Sequence, residues 1–317
     1  MDHMDNLIFS LNATAPVFIM MLLGLAFKKI GWIDDSFADK MNKFVYMVPL
    51  PVLVFEDLAT VDFSQVWDLK FLLYCFFATL ISILIAAAVS FFCRDKSMQG
   101  EFIQASYRSS SALLGIAFIQ NIYGDSGLAP LMILGSVPLY NVMAVVILSV
   151  FGPEKRQMGR GLVRKTLIGI ITNPTVLGIA AGFLWSALRL PMPPILEKTV
   201  ANVSAVATPL GLMAMGATFD IRKAFARVKP AIGVTLLKLV GFAALFLPVA
   251  VMLGFRREEL VASLVMLGSA TTVSCFVMAK NMGHEGVLTS SVVMLTTMVS
   301  AFTLTGWMYI LRSLALI

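Results

Sequence analysis

The chain has 317 residues, 59% of them apolar and only 13% charged, with a mean hydropathy of +0.88. So little charge excludes an ordinary soluble domain. The net charge of +6 does not indicate nucleic acid, because the basic residues fall in short loops beside apolar runs, where they set membrane orientation.

In chain order, ten runs read as membrane-spanning helices: 8–28, 41–61, 70–93, 102–123, 128–151, 167–188, 200–219, 231–255, 260–280 and 287–311. About 20 apolar residues cross the hydrocarbon, whereas a closed barrel would show alternating segments of about 10, which this sequence lacks. The first run follows Asp2 and Asp5 rather than a basic cluster, so it reads as a span and not as a cleaved leader. Span 2 carries Pro49 and Pro51, then Glu56 and Asp57 near its far end. Span 4 holds Arg108, Ser109, Ser110, Ser111 and Gly115, and span 5 holds Asn141. Span 7 carries Pro209, span 8 Lys238, and span 9 Ser269, Thr271, Thr272 and Ser274. The cysteines Cys75, Cys93 and Cys275 are odd in number and scattered, which argues against a disulfide framework. No metal-ligand spacing occurs, and no cofactor is expected.

Sixteen of the 24 Lys and Arg residues lie in one alternate set of loops, from Lys28 and Lys29 through Arg94, the 152–166 connection and Arg222 to Lys280. Six lie in the other set, which includes both ends of the chain. The positive-inside rule makes the first set cytoplasmic and both termini extracytoplasmic.

The sequence also repeats itself. Pro16, Gly24 and Pro51 return as Pro174, Gly182 and Pro209, and Ala59–Phe63 as Ala217–Ile221, all at an offset of about 158 residues. Gly124 and Gly127 return as Gly283 and Gly286 at about 159. The repeat divides the chain into a first five-helix unit (1–152), a cytoplasmic connection (153–166) and a second five-helix unit (167–317) of one integrated membrane domain. Five is odd, so the second unit enters the membrane upside down. The fold class is therefore an all-α integral membrane protein built as a 5+5 inverted repeat, an architecture that places a substrate site near the midplane.

In such repeats the site is built from interrupted helices at matching positions. The fourth span of each half is the candidate, because each holds a cluster of small hydroxyl residues in apolar sequence. Hydroxyls bond backbone carbonyls or a ligand; ordinary close packing of small residues is the competing reading. Where such a helix unwinds, its half-helix amino end supplies free N–H groups and partial positive charge suited to a carboxylate. Ser110, Ser111, Gly115, Asn141, Thr271, Thr272 and Ser274 are the candidate substrate-binding residues, Asn141 either lining a cavity or bonding a neighbouring helix. Pro51 and Pro209 are read as kinks. Arg108 and Lys238 are read chiefly as snorkelling to the inner surface, the alternative being an electropositive vestibule. With no acid at mid-span depth, outward movement of a monoanion down a membrane potential, worth about 2.3 kcal/mol per 100 mV, needs no coupling ion.

The strings FVYMVPLPVLVF, QASYRSSSALLGIAFIQNIYG, PLYNVMAVVIL, NPTVLGIAAGFL, TPLGLMAMGATFD and SATTVSCFVMAKNMG, in this order, resemble the auxin efflux carrier family in its short-loop bacterial form, over nearly the whole chain. The resemblance implies crossing fourth and ninth spans, export or exchange of small organic anions, and a homodimer in a bacterial inner membrane. It also implies a scaffold of spans 1, 2, 6 and 7. Plant relatives carry auxin and some bacterial relatives dicarboxylates such as malate or malonate. The family's crossing-helix prolines correspond here to Ala117 and Ala270, and alanine favours an unbroken helix by about 3 kcal/mol over proline. The competing functions are a proton- or sodium-coupled organic acid symporter, and a channel or sensor on the same fold. An enzyme is not expected: HExxH, paired mid-span aspartates and a Ser–His arrangement are all missing from the spans.

Overall fold

The computed structural model describes residues 3–59, 68–111, 116–123, 127–152 and 168–317. Among these, the regular elements are all helical. They are α1 (His3–Ile30), α2 (Asp35–Met47), α3 (Pro49–Ala59), α4 (Leu69–Ser90), a 3-10 turn (Lys96–Met98), α5 (Gln99–Tyr107), α6 (Ile116–Tyr123) and α7 (Ala129–Val150). The second half holds α8 (Pro174–Ala187), α9 (Pro194–Ala205), α10 (Ala207–Thr218), α11 (Ile221–Ala226) and α12 (Val228–Leu236). A π-helical segment (Leu237–Gly241), α13 (Phe242–Met252), α14 (Glu258–Gly268), α15 (Ser274–Asn281) and α16 (Val287–Ser313) complete it. The 153–166 connection and Gly115 lie outside the described residues.

Among the described residues, five stretches are long and apolar enough to cross a membrane: α4, α7, α9–α10, α12–α13 and α16. Large apolar side chains are exposed on their outer faces, among them Phe77 and Leu84 on α4, Leu245 on α13 and Phe302 on α16. That pattern suits a lipid environment rather than water. The central window of α7 is 67% buried against 39% for α4, so α7 runs through the middle of the bundle and α4 along its edge.

Two helix pairs approach backbone to backbone. α1 lies on α10, and α3 on α8. A Cβ added at Gly24 would stand 2.2 Å from the Met213 carbonyl oxygen, and one at Gly182 would stand 2.7 Å from that of Phe55. Positions 55 and 213 are separated by the same offset as Gly24 and Gly182. The repeated glycine thus makes a reciprocal contact: each copy admits the backbone of the other half.

The repeated prolines also have a common role. The second span breaks at Val48 (φ −126°, ψ −71°), while the seventh only turns at Val206, whose backbone stays helical (φ −74°, ψ −23°); the two positions lie three residues before Pro51 and Pro209 respectively. A proline ring clashes with the carbonyl four residues back and donates no N–H, so the helix restarts within one turn ahead of it, where the ring is tolerated. Each interruption of the helix lies ahead of its proline.

The bundle has two ends. At one, Lys70 donates to the Leu253 carbonyl, Glu258 accepts from the Leu128 N–H, and the Arg257 N–H donates to the Leu316 carbonyl at 2.9 Å. At the other, Gln99 donates to the Ser90 carbonyl at 3.1 Å, His284 Nε2 stands 3.0 Å from the Leu148 carbonyl, and Arg227 pairs with Asp95 and, at 3.6 Å, with Glu285. A buried cluster containing Met21, Val45, Leu148, Met215 and Phe276 joins α1, α2 and α10 to α7 and α15.

Candidate functional site

Both candidate spans are interrupted. α5 ends at Tyr107, and Arg108 (φ −74°, ψ 125°) leaves the helix in extended conformation. α14 ends at Gly268, and Ser269 (φ −77°, ψ 166°) does the same. Ala270 lies inside the second break, so alanine does not keep that helix continuous. Ala117 lies in α6, just beyond the first break.

The breaks meet each other. The Ser110 N–H donates to the Ala270 carbonyl at 3.0 Å. α5 packs against α15, and α6 against α14, so the two interrupted spans cross.

Hydroxyls from facing helices stabilise the breaks. A helix end leaves carbonyls without intrahelical partners. The Ala105 carbonyl at the end of α5 accepts from Thr271 Oγ1 at 2.9 Å. The Met266 carbonyl at the end of α14 accepts from Ser109 Oγ and, at 3.1 Å, from the Tyr140 hydroxyl. The Thr271 N–H donates to Thr296 Oγ1 at 3.0 Å, and Gln104 Nε2 to the Cys275 carbonyl at 2.9 Å. Each net hydrogen bond contributes about 1 kcal/mol, so this set offsets the intrahelical bonds the breaks remove.

Two basic side chains sit inside this crossing. Arg108 is 2% exposed and Lys238 0%. The snorkelling reading is therefore corrected: both side chains turn inward, Arg108 because it caps α5 where the helix stops, Lys238 because it projects from the π-helical segment. Arg108 Nη2 donates to Asn141 Oδ1 and to Ser274 Oγ, both at 2.7 Å, while Nη1 faces the Met278 thioether. Lys238 Nζ donates to Ser109 Oγ at 2.6 Å. No salt bridge to either side chain occurs among the described residues.

Asn141 thus bonds a neighbouring span, as one of its two readings held. Thr272 Oγ1 lies 3.2 Å from Ser274 Oγ, while Ser110 and Thr272 are half-buried. Among the described residues, four buried polar atoms here lack a hydrogen-bond partner: Gln104 Oε1, Arg108 Nε, Ser111 Oγ and Ser269 Oγ. Polar atoms buried without partners are costly and signal a place for a ligand or water. Ser274 is the first residue of α15, so the guanidinium converges with the positive end of that helix. The arrangement is a positive, partly unsatisfied polar centre in an apolar bundle. Among the described residues no His/Cys/Asp/Glu group is placed to hold a metal ion.

The sequence did not single out Gln104, Tyr107, Tyr140, Met278 or Thr296, since each looks like an ordinary core residue until the breaks are brought together. Nor did it single out a pair of glutamates. Glu101, 2% exposed on α5, accepts from the Gly286 and Thr289 N–H groups at 2.9 Å and from Thr289 Oγ1 at 2.7 Å. Glu258, opening α14, caps the start of α7 through Leu128. Each crossing span thus caps a long helix, and the repeated glycines Gly127 (φ +40°) and Gly286 (φ +75°) supply the left-handed backbone at those two starts. Glu56 accepts from Ser204 of α9, joining α3 to its neighbour.

Residues 9–308 match a family model described as membrane transport protein. The chain is 22% identical over 310 residues to a putative malonate transporter of Rhizobium meliloti (strain 1021), covering 95% of each protein. It is 22% identical over 315 residues to an uncharacterized transporter of Methanothermobacter thermautotrophicus, covering 95% of this chain and 98% of that one.

Proposed function

The chain belongs to the membrane transport protein family, the auxin efflux carriers, and on that premise we propose that it is a secondary transporter, an exporter or exchanger, of a small organic anion carrying a carboxylate. The observation that carries this reading is Arg108. A guanidinium stays charged in any protein environment, and a buried charge without a counter-ion is expensive. Here it is held by neutral oxygens, beside a helix amino end, with Nε unpartnered. A carboxylate arriving at the crossing supplies the missing charge and accepts from donors already in place. The relative named a putative malonate transporter is consistent with that chemistry.

Alternating access on a ten-span, 5+5 inverted repeat is the mechanism we infer. The reciprocal Gly24 and Gly182 contacts, the matched helix junctions at Val48 and Val206, and the paired ends of α4 with α13 support it. The first, second, sixth and seventh spans (α1, α2–α3, α8 and α9–α10) form the scaffold, and the unit around the crossing moves against it. The excess of basic residues in alternate loops supports an orientation with both termini outside, in a bacterial inner membrane. The scaffold is also where a homodimer would form.

The test is reconstitution in lipid vesicles with a clamped potential. Saturable malonate flux with counterflow, and selective thermal stabilisation by a carboxylate that Ser110→Leu or Thr272→Leu abolishes, supports the carrier. Ohmic single-channel current favours a channel on this fold, and a strict requirement for a proton or sodium gradient favours a coupled symporter.

A further inference from the structure

We propose that a cleft between α1, α10, α12 and α16 binds an anionic phospholipid, its tail in an apolar groove and its headgroup on Arg222 and Lys223. The groove is a cavity of about 400 Å³, lined by Phe18, Leu22 and Leu25 of α1, Phe225 of α11, and Met294 and Leu295 of α16. A second cavity of about 530 Å³ adjoins it at Phe219 and is polar, bounded by Lys28, Asp220, Arg222 and Lys223. The sequence order along α1 gives the direction. Leu25 is one turn from Lys28, and Phe18 lies roughly 10 Å deeper at 1.5 Å per residue. A polar mouth followed by an apolar run of that depth has the layout of one lipid molecule in its leaflet.

Charge selects the headgroup. Asp35 is paired with Lys28, and Asp220 is taken by the backbone N–H groups of Arg222 at 2.9 Å and Lys223 at 3.1 Å. The Arg222 and Lys223 side chains are exposed and have no acidic partner among the described residues. They also lie in the loops that carry the basic excess, on the side where anionic lipids concentrate. A tail in this groove touches α1 and α10 on one wall and α12 and α16 on the other, so its presence would bear on movement between them.

The purified protein in neutral detergent is offered phosphatidylglycerol or phosphatidylcholine with the same acyl chains, and bound lipid is read by native mass spectrometry alongside thermal shift. Phosphatidylglycerol is expected to bind roughly tenfold more tightly. The double variant Arg222→Gln/Lys223→Gln should lose that preference while still retaining phosphatidylcholine. Leu22→Trp, or Met294→Phe if the first variant is not monodisperse, should lower retention of both lipids by filling the groove. Equal binding of the two lipids by the unaltered protein overturns the proposal, as does a preference that survives the double variant. So does a thermal shift reproduced by inorganic phosphate alone, or a dimer that covers Phe18 and Phe225 with no lipid bound.

Discussion

The backbone N–H of Ser110 donates to the carbonyl of Ala270 at 3.0 Å, so the interruption in one half of the chain is hydrogen-bonded to the interruption in the other. No proline occurs in the sequence of either break, 108–115 or 269–273. The polar groups freed by one unwound helix are accepted or donated by the other, which makes the two breaks conditional on each other.

Ala270→Pro should therefore be nearly neutral. Ser269 already has the extended backbone that precedes proline, and the Ala270 N–H donates no hydrogen bond among the described residues. Ala105→Pro, inside α5, should cost about 3 kcal/mol. Detergent melting curves that put the two variants within a degree of each other would contradict this account of the break.

Thr271→Val keeps the side-chain shape but leaves the Ala105 carbonyl without its hydroxyl donor. A loss of about 1–2 kcal/mol is expected, seen as a melting point lower by a few degrees. Flux measured in vesicles should fall along with it, because the same bond sets the crossing geometry.

Arg108→Met removes the fixed charge. If the guanidinium meets a carboxylate, apparent affinity for malonate should weaken at least tenfold, since a hydrogen bond to a charged group contributes about 1.5–3 kcal/mol. The protein itself should remain folded, because the partners left behind, Asn141 and Ser274, are neutral. Vesicle uptake with unchanged half-saturation would rule out Arg108 as the anion contact.

Gly24→Ala should destabilise more than Gly182→Ala, because the added Cβ stands 2.2 Å from a backbone oxygen in the first case and 2.7 Å in the second. Overpacking of this kind costs about 1–3 kcal/mol where the neighbour is backbone and cannot swing aside. Ranking the two variants by unfolding temperature checks the order.

Asp95 gives a pH-dependent contribution. Hydrogen bonds from Ser97, then from Arg227, hold its carboxyl down at about 2. Its folded value lies below its unfolded value near 3.9, so the stabilisation is present above about pH 4 and disappears as pH falls through 2. Asp95→Asn should therefore melt below the unaltered protein at neutral pH, by a small margin for so exposed a pair, and the gap should close in acid. A gap that persists at pH 2 would point to a steric cause.

Composition and periodicity by themselves determined that this is a helical membrane chain, and the offset of about 158 residues located Gly24, Gly182, Pro51 and Pro209 as matched positions. Those features are local or compositional: apolar runs, a proline that cannot donate, a glycine with no Cβ. The hydroxyl clusters could be found by eye in spans 4 and 9, and five of the seven candidate binding positions fall at or beside the breaks; Asn141 reaches the crossing from α7, and Gly115 lies outside the described residues. What the hydroxyls bind was decided only by tertiary structure. Ser109, Thr271 and Tyr140 serve carbonyls on other helices, and Arg108 reaches partners 33 and 166 residues away. Sequence depth alone made snorkelling the more economical reading for Arg108 and Lys238, because a side chain in a continuous span escapes along the helix toward the headgroups. Once the helix ends at Tyr107, the next side chain points into the crossing, and its charge belongs to the interior.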